Sequence, residues 1–259
     1  MNIVVCVKQV PDTTAEKRLD ANLRLDRASV DNIINPFDEY AIEEGLRLQE
    51  AHGGEVALLC MGTESAQETL RKGLAMGADR GVLVTDPALA GSDAWATSYV
   101  LAQALKRMSY DVILCGMQTT DSGTAQVPGG VAEFLGLPQL TWANKVEISD
   151  GKATIQRQSD AGYDVVEAPL PVVISVIKGI NEPRYPSLKG IMQARRKELQ
   201  IWSLDDLGIS QDMVGVLGAK TKVLGYSRPA PRAKGQLIQE DSQTAATRIA
   251  DFLVQARVL

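Results

Sequence analysis

The sequence is short of the side chains that most often carry enzyme chemistry. Its 259 residues include a single histidine, His52, and only three cysteines. One histidine excludes a histidine-rich metal site, and a histidine-based triad would need His52 as its base. His52 lies in the sequence AHGG at a predicted helix end, where the helix dipole favours a protonated imidazole. We expect a structural role for it, no metal site, and no catalytic side chain.

The three cysteines, Cys6, Cys60 and Cys115, are too far apart in sequence for a CxxC motif. Each lies near the end of a short apolar run, which predicts buried thiols at strand ends. An odd number of such thiols is typical of a reducing compartment. No apolar run reaches the ~18 residues of a membrane helix, and the first run is too short for a signal peptide. We therefore expect a cytoplasmic protein without membrane insertion.

Aromatic residues are also scarce, at 5%, and the net charge is −5. The absence of a basic excess argues against nucleic-acid binding. Hydrophobic residues nevertheless make up 45% of the chain, enough to build a core and to exclude disorder as a description of the whole. Because Ala, Val, Leu and Ile supply most of this content, a helix-rich α/β protein is favoured over an all-β sandwich.

Short runs rich in Val, Ile and Leu alternate with amphipathic stretches in the first half of the chain. The runs are Ile3–Val7, Val56–Cys60, Arg80–Thr85 and Val112–Cys115, and helices are predicted over 38–52, 64–76, 92–108 and about 124–135. Buried strands that alternate with helices predict a doubly wound, mostly parallel α/β sheet of nucleotide-binding type.

The second half changes its pattern. Alternating residues on either side of Ser149-Asp150-Gly151 predict a small antiparallel hairpin, and Val172–Val176 could rejoin the main sheet. Residues 228–235 are rich in proline and basic residues, which predicts an extended linker. The helix predicted over 242–257 either folds back on the chain or packs on a partner. We expect an α/β domain over residues 1–200 and a C-terminal arm with a helix over 201–259.

The segment Gln118–Gly130 is the most informative stretch for function. It combines small residues, hydroxyls and a glycine directly before a predicted helix, and it follows a buried strand. Such a loop can present backbone N–H groups to a phosphate, with help from the helix dipole. It is neither a Walker A loop nor GxGxxG, so a plain strand–helix turn remains an alternative. Asp121 could accept from a ribose or adenine group, or supply negative charge at the helix N-terminus.

Five segments together resemble the β subunit of electron-transferring flavoproteins. They are VVCVKQVPD at 4–12, INPFDEYAIEE at 34–44, LAMGADRG at 74–81, the Gln118–Gly130 loop, and NEPRYPSLKGIMQARRK at 181–197. The resemblance covers about residues 1–200 in order. It implies a nucleotide-binding-like fold and a heterodimer with an α subunit that holds most of an FAD.

The resemblance also implies that the β subunit binds a nucleotide, in a site formed largely by backbone contacts. Bifurcating members hold a second FAD there, and non-bifurcating members hold a structural AMP. The matching positions are Cys6, Asn35, Pro36, Phe37, Asp38, Met61, Asp121, Ser122, Gly123, Thr124, Ala125, Gln126 and Val127.

The choice between FAD and AMP depends on Thr124-Ala125-Gln126-Val127. Bifurcating members have Asp-Gly-Asp-Thr-Ala-Gln-Val-Gly in this loop, whereas non-bifurcating members carry a bulkier residue, typically Asn, where Ala125 stands. This chain keeps Asp121 and the TAQV core but differs at Ser122, Gly123 and Pro128. The pattern favours FAD, with AMP as the alternative.

Residues 181–197 resemble the family's recognition loop, which docks onto partner dehydrogenases. An exposed Leu188 would anchor in an apolar pocket, or alternatively Leu188 is buried in its own chain. Basic residues would steer the loop toward an acidic partner: Arg184, Lys189, Arg195, Arg196 and Lys197. The other partner-contacting positions are Glu182, Pro183, Tyr185, Ile191 and Met192.

We therefore expect a bifurcating type, in which a β-site FAD oxidises NADH. Electrons would pass to ferredoxin or flavodoxin and, through the α-subunit FAD, to a flavin dehydrogenase. The first alternative is a non-bifurcating subunit that holds AMP and serves dehydrogenases of the acyl-CoA type. The second is a stand-alone nucleotide-binding module that forms a homodimer without flavin.

Overall fold

The computed structural model describes residues 1–16, 18–227, 230 and 235–258. The chain divides into two compact units, Met1–Leu224 and Gly225–Leu259. The first unit contains the whole sheet, including a strand at Leu199–Trp202. The boundary expected after residue 200 thus falls within a strand of the first unit.

Strands and helices alternate through the first half, as the hydrophobic pattern predicts. In chain order the elements are β1 (Asn2–Val7), β2 (Gln9–Pro11), β3 (Asn32–Ile34), α1 (Pro36–His52), β4 (Glu55–Met61), α2 (Ala66–Met76), β5 (Arg80–Val84), α3 (Ala94–Leu105), β6 (Val112–Gly116) and α4 (Val127–Leu135). Gly136 ends α4 in the left-handed conformation, as its position in the sequence indicates.

The second half adds four strands first and then helices, with one further strand between the first two of these helices. The elements are β7 (Gln139–Ser149), β8 (Lys152–Ser159), β9 (Gly162–Pro169), β10 (Val172–Val176), α5 (Leu188–Ala194), β11 (Leu199–Trp202), α6 (Leu204–Leu207), α7 (Gly215–Gly218) and α8 (Ser242–Gln255). The predicted hairpin is β7–β8, and β10 rejoins the main sheet as expected.

Nine strands form one sheet in the order β11-β5-β4-β1-β6-β10-β7-β8-β9, and β2 pairs with β3 in a small antiparallel sheet. The pairings from β11 to β7 are parallel, whereas β8 and β9 are added antiparallel. Each face of the parallel part has its own hydrophobic cluster. Ile42 of α1 and Leu74 of α2 belong to one, and Val100 of α3 and Val131 of α4 belong to the other. The predicted doubly wound fold is confirmed.

The direction of winding reverses between β1 and β6. The chain adds β4 and β5 on one side of β1, and it then crosses to place β6 and β10 on the other. In open α/β sheets, ligands bind outside the carboxyl ends of the strands at such a switch point. The fold therefore directs attention to the segments that follow β1 and β6.

The three cysteines are free and buried, as predicted, and they lie on three neighbouring strands. Cys6 of β1 is paired in register with Cys115 of β6. Burial raises the pKa of the Cys60 thiol to about 12. Such a thiol is protonated at neutral pH and therefore a poor nucleophile.

The second unit contains α8, which begins after Asp241. The Asp241 side chain accepts hydrogen bonds from the N–H groups of Gln243 and Thr244, an N-cap arrangement. The apolar side chains of Ile249 and Phe252 on α8 are both exposed. Most of the predicted linker at 228–235 lies outside the described residues. Across the part of the chain that is described, no helix is long and apolar enough to cross a membrane.

The helices α2 and α5 cap each other through two basic side chains. Lys197, just beyond α5, donates to the carbonyl oxygens of Leu74, Gly77 and Ala78 at 3.1, 3.0 and 2.6 Å. In return, Arg71 of α2 donates to the carbonyl oxygens of Ala194 and Lys197. Carbonyl groups at helix ends lack partners within the helix, so these cations satisfy them.

Replacing Lys197 with methionine should lower the free energy of unfolding by about 1–3 kcal/mol, because three carbonyl oxygens lose a charged donor. Urea denaturation followed by circular dichroism measures this change. Lys189→Met is the matched control, since Lys189 lies exposed on α5. An equal loss of stability in both variants would contradict the assigned role of Lys197.

Candidate functional site

The first candidate residues lie at the carboxyl ends of two strands of the sheet. Cys6 lies one residue before the end of β1, opposite Leu59 of β4, and Met61 is the last residue of β4. The segment from Met117 to Gln126 leaves the end of neighbouring β6 and leads into α4. The sequence-predicted residues on these strands and loops therefore meet at the switch point.

A buried polar junction joins three segments at this edge. The Asn35 side chain is fully buried, and its Nδ2 donates to Asp38 Oδ1 at 2.8 Å and to the Gln118 carbonyl oxygen at 2.9 Å. Its Oδ1 accepts from the Thr120 N–H at 3.2 Å, and Asp38 Oδ2 accepts from the Lys8 N–H at 2.7 Å. One amide and one carboxylate thus tie the ends of β1 and β6 to the start of α1.

The Asp38 carboxyl has little access to solvent. Burial raises its pKa to about 7, while the hydrogen bonds from the Asn35 side chain and the Lys8 backbone act in the opposite direction. A side chain on Gly116 would collide with Asp38 Oδ1 and with the backbone of Phe37. The glycine therefore allows β6 to approach the first turn of α1, and the carboxyl serves the junction.

Asp121 is buried in a second cluster, which the sequence did not predict. Its side chain is 2% exposed, accepts from Lys8 Nζ at 2.9 Å, and also pairs with the Arg27 guanidinium. These two cations hold the pKa of the carboxyl well below its usual range, although burial acts against them. Both carboxylate oxygens of Asp121 therefore bind cations of the chain itself. From the sequence, its expected role is contact with a ribose or adenine group, or negative charge at the N-terminus of α4.

The loop between Asp121 and α4 is largely exposed. Ser122, Gly123, Thr124 and Gln126 are exposed, and Ala125 is half-buried. Gly123 and Ala125 both adopt positive φ, at +62° and +55°. The N-cap residue Gln126 makes no side-chain cap hydrogen bond. Backbone N–H groups at an uncapped helix N-terminus suit an anionic group such as a phosphate.

Two glycines set the position of this helix N-terminus. A side chain on Gly130 would collide with Ser98 of α3, and one on Gly129 would approach the Gln139 side chain. Both glycines therefore allow α4 to lie close against its neighbours. The sequence VPGG, which looks unfavourable for a helix, is explained by this packing.

A second candidate surface is formed by residues 182–192. Tyr185 and Leu188 are 96% and 83% exposed, and Ile191 and Met192 are also exposed. Glu182 is exposed and Pro183 is half-buried. The exposure predicted for Leu188 is observed, and the alternative of a leucine buried in its own chain is wrong. Its contact with a partner stays a prediction.

Arg184 is engaged within the chain. Its guanidinium binds both oxygens of Glu43 at 2.8 and 2.9 Å, and it also binds Glu50 Oε1 at 2.6 Å. These hydrogen bonds raise the pKa of Arg184 above its ordinary value. Asn181 adds a hydrogen bond to Glu44 at 2.9 Å. The segment before Leu188 is thereby fastened to α1.

The charges predicted to steer a partner fall into two groups. Arg184 and Lys197 are committed to contacts inside the chain, whereas Lys189, Arg195 and Arg196 are exposed. Among the described residues, no group of three or more His, Cys, Asp or Glu could hold a metal ion. The two candidate surfaces are therefore the switch point with its exposed loop before α4, and an exposed apolar patch flanked by cations.

Comparison with known proteins agrees with this arrangement. The family described as "Electron transfer flavoprotein domain" matches residues 22–207. A protein of Thermoanaerobacterium thermosaccharolyticum named "Electron transfer flavoprotein subunit beta" is 41% identical over 261 residues, covering 100% of both chains. A protein of Megasphaera elsdenii with the same name is 40% identical over 272 residues, again with 100% coverage of both.

A third relative carries a different name. The "Caffeyl-CoA reductase-Etf complex subunit CarD" of Acetobacterium woodii is 38% identical over 256 residues, covering 98% of this chain and 97% of that protein. The similarity to these relatives thus extends over the whole chain, including the C-terminal unit. The resemblance found in the sequence is confirmed: the chain belongs to the electron transfer flavoprotein family, as a β subunit.

Proposed function

We propose that this chain is the β subunit of an electron-bifurcating electron transfer flavoprotein with FAD at the switch point. In the heterodimer with its α subunit, NADH is oxidised at this site. One electron leaves to ferredoxin or flavodoxin, and the other passes through the α-subunit FAD to a partner dehydrogenase. The alternative is a non-bifurcating subunit that holds AMP at the same place and receives electrons from dehydrogenases of the acyl-CoA type.

The donor groups at the switch point fit the pyrophosphate or phosphate of an adenine nucleotide. The uncapped N-terminus of α4 and the residues from Thr124 to Gln126 supply N–H groups, whereas the Gly123 N–H is donated to the Thr119 carbonyl oxygen. The other positions are Cys6 and Met61 near the ends of β1 and β4, Val127 at the start of α4, and the turn at Asn35–Asp38 that leads into α1. We propose that these residues hold the nucleotide, and that the family resemblance supplies its identity.

The observation that carries the choice of FAD is the small side chain at Ala125. Its φ of +55° is a conformation that Asn adopts more readily than most residues. An Asn here would keep the same backbone and add volume to the crevice, which is how the resemblance distinguishes AMP-holding members. Alanine is less suited to this conformation than Asn. Its presence therefore indicates that a small side chain matters more at this position than the residue's preference for positive φ.

The protein residues would bind and orient, and the electron chemistry would belong to the cofactor. Asp38 is enclosed by its hydrogen bonds, Asp121 is ion-paired, and the Cys60 thiol has a pKa raised to about 12. These groups are poorly placed for proton or nucleophile chemistry. A bound flavin would supply the capacity to accept a hydride and to release electrons singly.

The proposed partner contacts use the two exposed apolar surfaces. On the second unit, α8 leaves Ile249 and Phe252 exposed, and we propose that this helix packs on the α subunit. On the first unit, Leu188 and its neighbours form the proposed docking surface for the dehydrogenase. Exposed aromatic and aliphatic side chains with a polar rim are typical of interface hot spots.

The flavin content of the purified heterodimer tests the choice of cofactor. We expect two FAD and no AMP per heterodimer, measured by chromatography of the nucleotides released on denaturation. Replacing Ala125 with Asn should reduce this to one FAD and allow AMP to bind, because the larger side chain fills the crevice without altering the backbone.

Ala51→Asn is the matched control for this change, since Ala51 lies exposed on α1 away from the crevice. That variant should retain two FAD. One FAD and one AMP in the unmodified heterodimer would contradict the bifurcating assignment and favour the alternative. A stable homodimer without flavin would instead support a stand-alone nucleotide-binding module.

Replacing Leu188 with alanine should slow electron transfer from the NADH-reduced heterodimer to an acyl-CoA dehydrogenase at least tenfold. The reason is the loss of an exposed apolar anchor, and stopped-flow absorbance of the flavin measures it. Flavin content should not change. Leu188→Met, which conserves volume and hydrophobicity, should retain most of the rate. Equal rates for the alanine variant and the unmodified protein would exclude Leu188 as the anchor.

A further inference from the structure

A long excursion of the chain separates the two strands of the small sheet. Residues 12–31, which we call the strap, leave β2 and return to β3. Its base is closed by a hydrogen bond from the Asp12 N–H to the Asp31 carbonyl oxygen at 2.9 Å. Further along, Leu19 and Leu25 form an isolated antiparallel bridge. The described part of the strap is therefore folded on itself.

Arg27 connects the strap to the switch point. Its Nη2 donates to Asp121 and its Nη1 donates to the Gln9 carbonyl oxygen at 3.1 Å. Asn32 Nδ2 donates in turn to the Arg27 carbonyl oxygen at 2.8 Å, which fixes the backbone from which the guanidinium extends. Asp121 directly precedes the exposed backbone loop of the candidate nucleotide site. One side chain thus bridges the strap and that loop.

Asp121 has two cationic partners that differ in origin. Lys8 follows β1 directly, whereas Arg27 belongs to the strap. Both remain about one third exposed, at 36% and 34%, while the carboxylate is nearly covered. Because Lys8 remains beside the carboxylate, loss of the Arg27 charge would leave Asp121 neutralised. It would remove only the connection between strap and loop.

We propose that Arg27 is a positioning residue that holds the strap and the nucleotide loop as one unit and so slows the release of the bound adenine nucleotide. The inference rests on the proposed nucleotide site, but it applies equally to FAD and to AMP. The tether acts from outside the crevice, because Arg27 contacts Asp121 and Gln9. A charge-assisted hydrogen bond to a nearly buried carboxylate has a strength that corresponds to about a tenfold change in such a rate.

Exchange of the resident nucleotide measures this effect in the intact heterodimer. Excess isotope-labelled nucleotide of the kind that the β site holds, FAD or AMP, is added, and the label retained by the protein after rapid desalting is followed over time. Arg27→Gln should exchange about ten times faster than the unmodified protein. Asp121→Asn should accelerate exchange to a similar extent, and the double variant no further, because both changes break the same contact.

Three variants distinguish a tether from simple charge or from loss of stability. Lys8→Gln removes the same charge from Asp121 but leaves the strap attached, so exchange should accelerate less than threefold. Arg27→Lys restores a cation and should recover most of the slow exchange. Arg18→Gln alters a strap arginine that pairs with exposed Glu16, and it should exchange at the unmodified rate. High salt should raise the nucleotide exchange rate of the unmodified protein toward that of the Arg27→Gln variant, because salt screens the ion pair.

Equal acceleration by Lys8→Gln and Arg27→Gln would overturn the tether in favour of a charge effect. Unmodified exchange rates in both Arg27→Gln and Asp121→Asn would overturn it altogether. If Arg27→Gln fails to assemble, Arg27→Lys and Asp121→Asn carry the comparison. An unmodified heterodimer that neither contains nor takes up an adenine nucleotide beyond the α-subunit FAD would contradict the proposed function itself, which separates the two failures.

Discussion

The buried pair of Asn35 and Asp38 is the constraint on which the candidate site depends. Polar groups that are removed from water must find hydrogen-bond partners, and these two side chains find theirs in three different segments. Their contacts fix the turn after β1, the first turn of α1 and the loop after β6. These hydrogen bonds hold the three segments together at the switch point between β1 and β6. The remainder of the site can then consist of backbone.

One helix connects the two candidate surfaces. The first turn of α1 carries Asp38 at the switch point, and the same helix carries Glu43 and Glu50, which bind Arg184. A helix is stiff over this length, so the switch point and the segment leading to Leu188 are held in fixed positions relative to each other. Ion pairing with carboxylates that are fixed on a helix also limits the freedom of Arg184.

The sequence predicts the parts of the molecule that follow from local pattern. Buried strands, amphipathic helices, the Gly136 helix end and the loop after β6 all have short-range signals, and all are found. The sequence predicts neither β9 nor β11, because β9 is mostly exposed and β11 is short and lies at the sheet edge. Strand formation there depends on pairing with a neighbour, which periodicity does not reveal.

The ionic contacts were beyond prediction for a related reason. Arg27 and Asp121 are 94 positions apart, and Arg184 and Glu43 are 141 apart. The sequence does not indicate which residue a charged side chain contacts. From the sequence, Arg184 and Lys197 are therefore expected to face a partner protein. Only the position of Lys8 directly after β1 indicates from the sequence that its side chain lies near the switch point, because ligand-binding segments follow strands there.

The scarcity of catalytic side chains agrees with a protein that binds an electron carrier and positions its partners. The central claim is that a flavin at the switch point accepts electrons from NADH, and anaerobic titration of the heterodimer with NADH tests it most directly. The account predicts bleaching of the flavin absorbance, with two flavins reduced per heterodimer in the unmodified protein. No bleaching by NADH, in a heterodimer whose single flavin is still reduced by an acyl-CoA dehydrogenase, would contradict it.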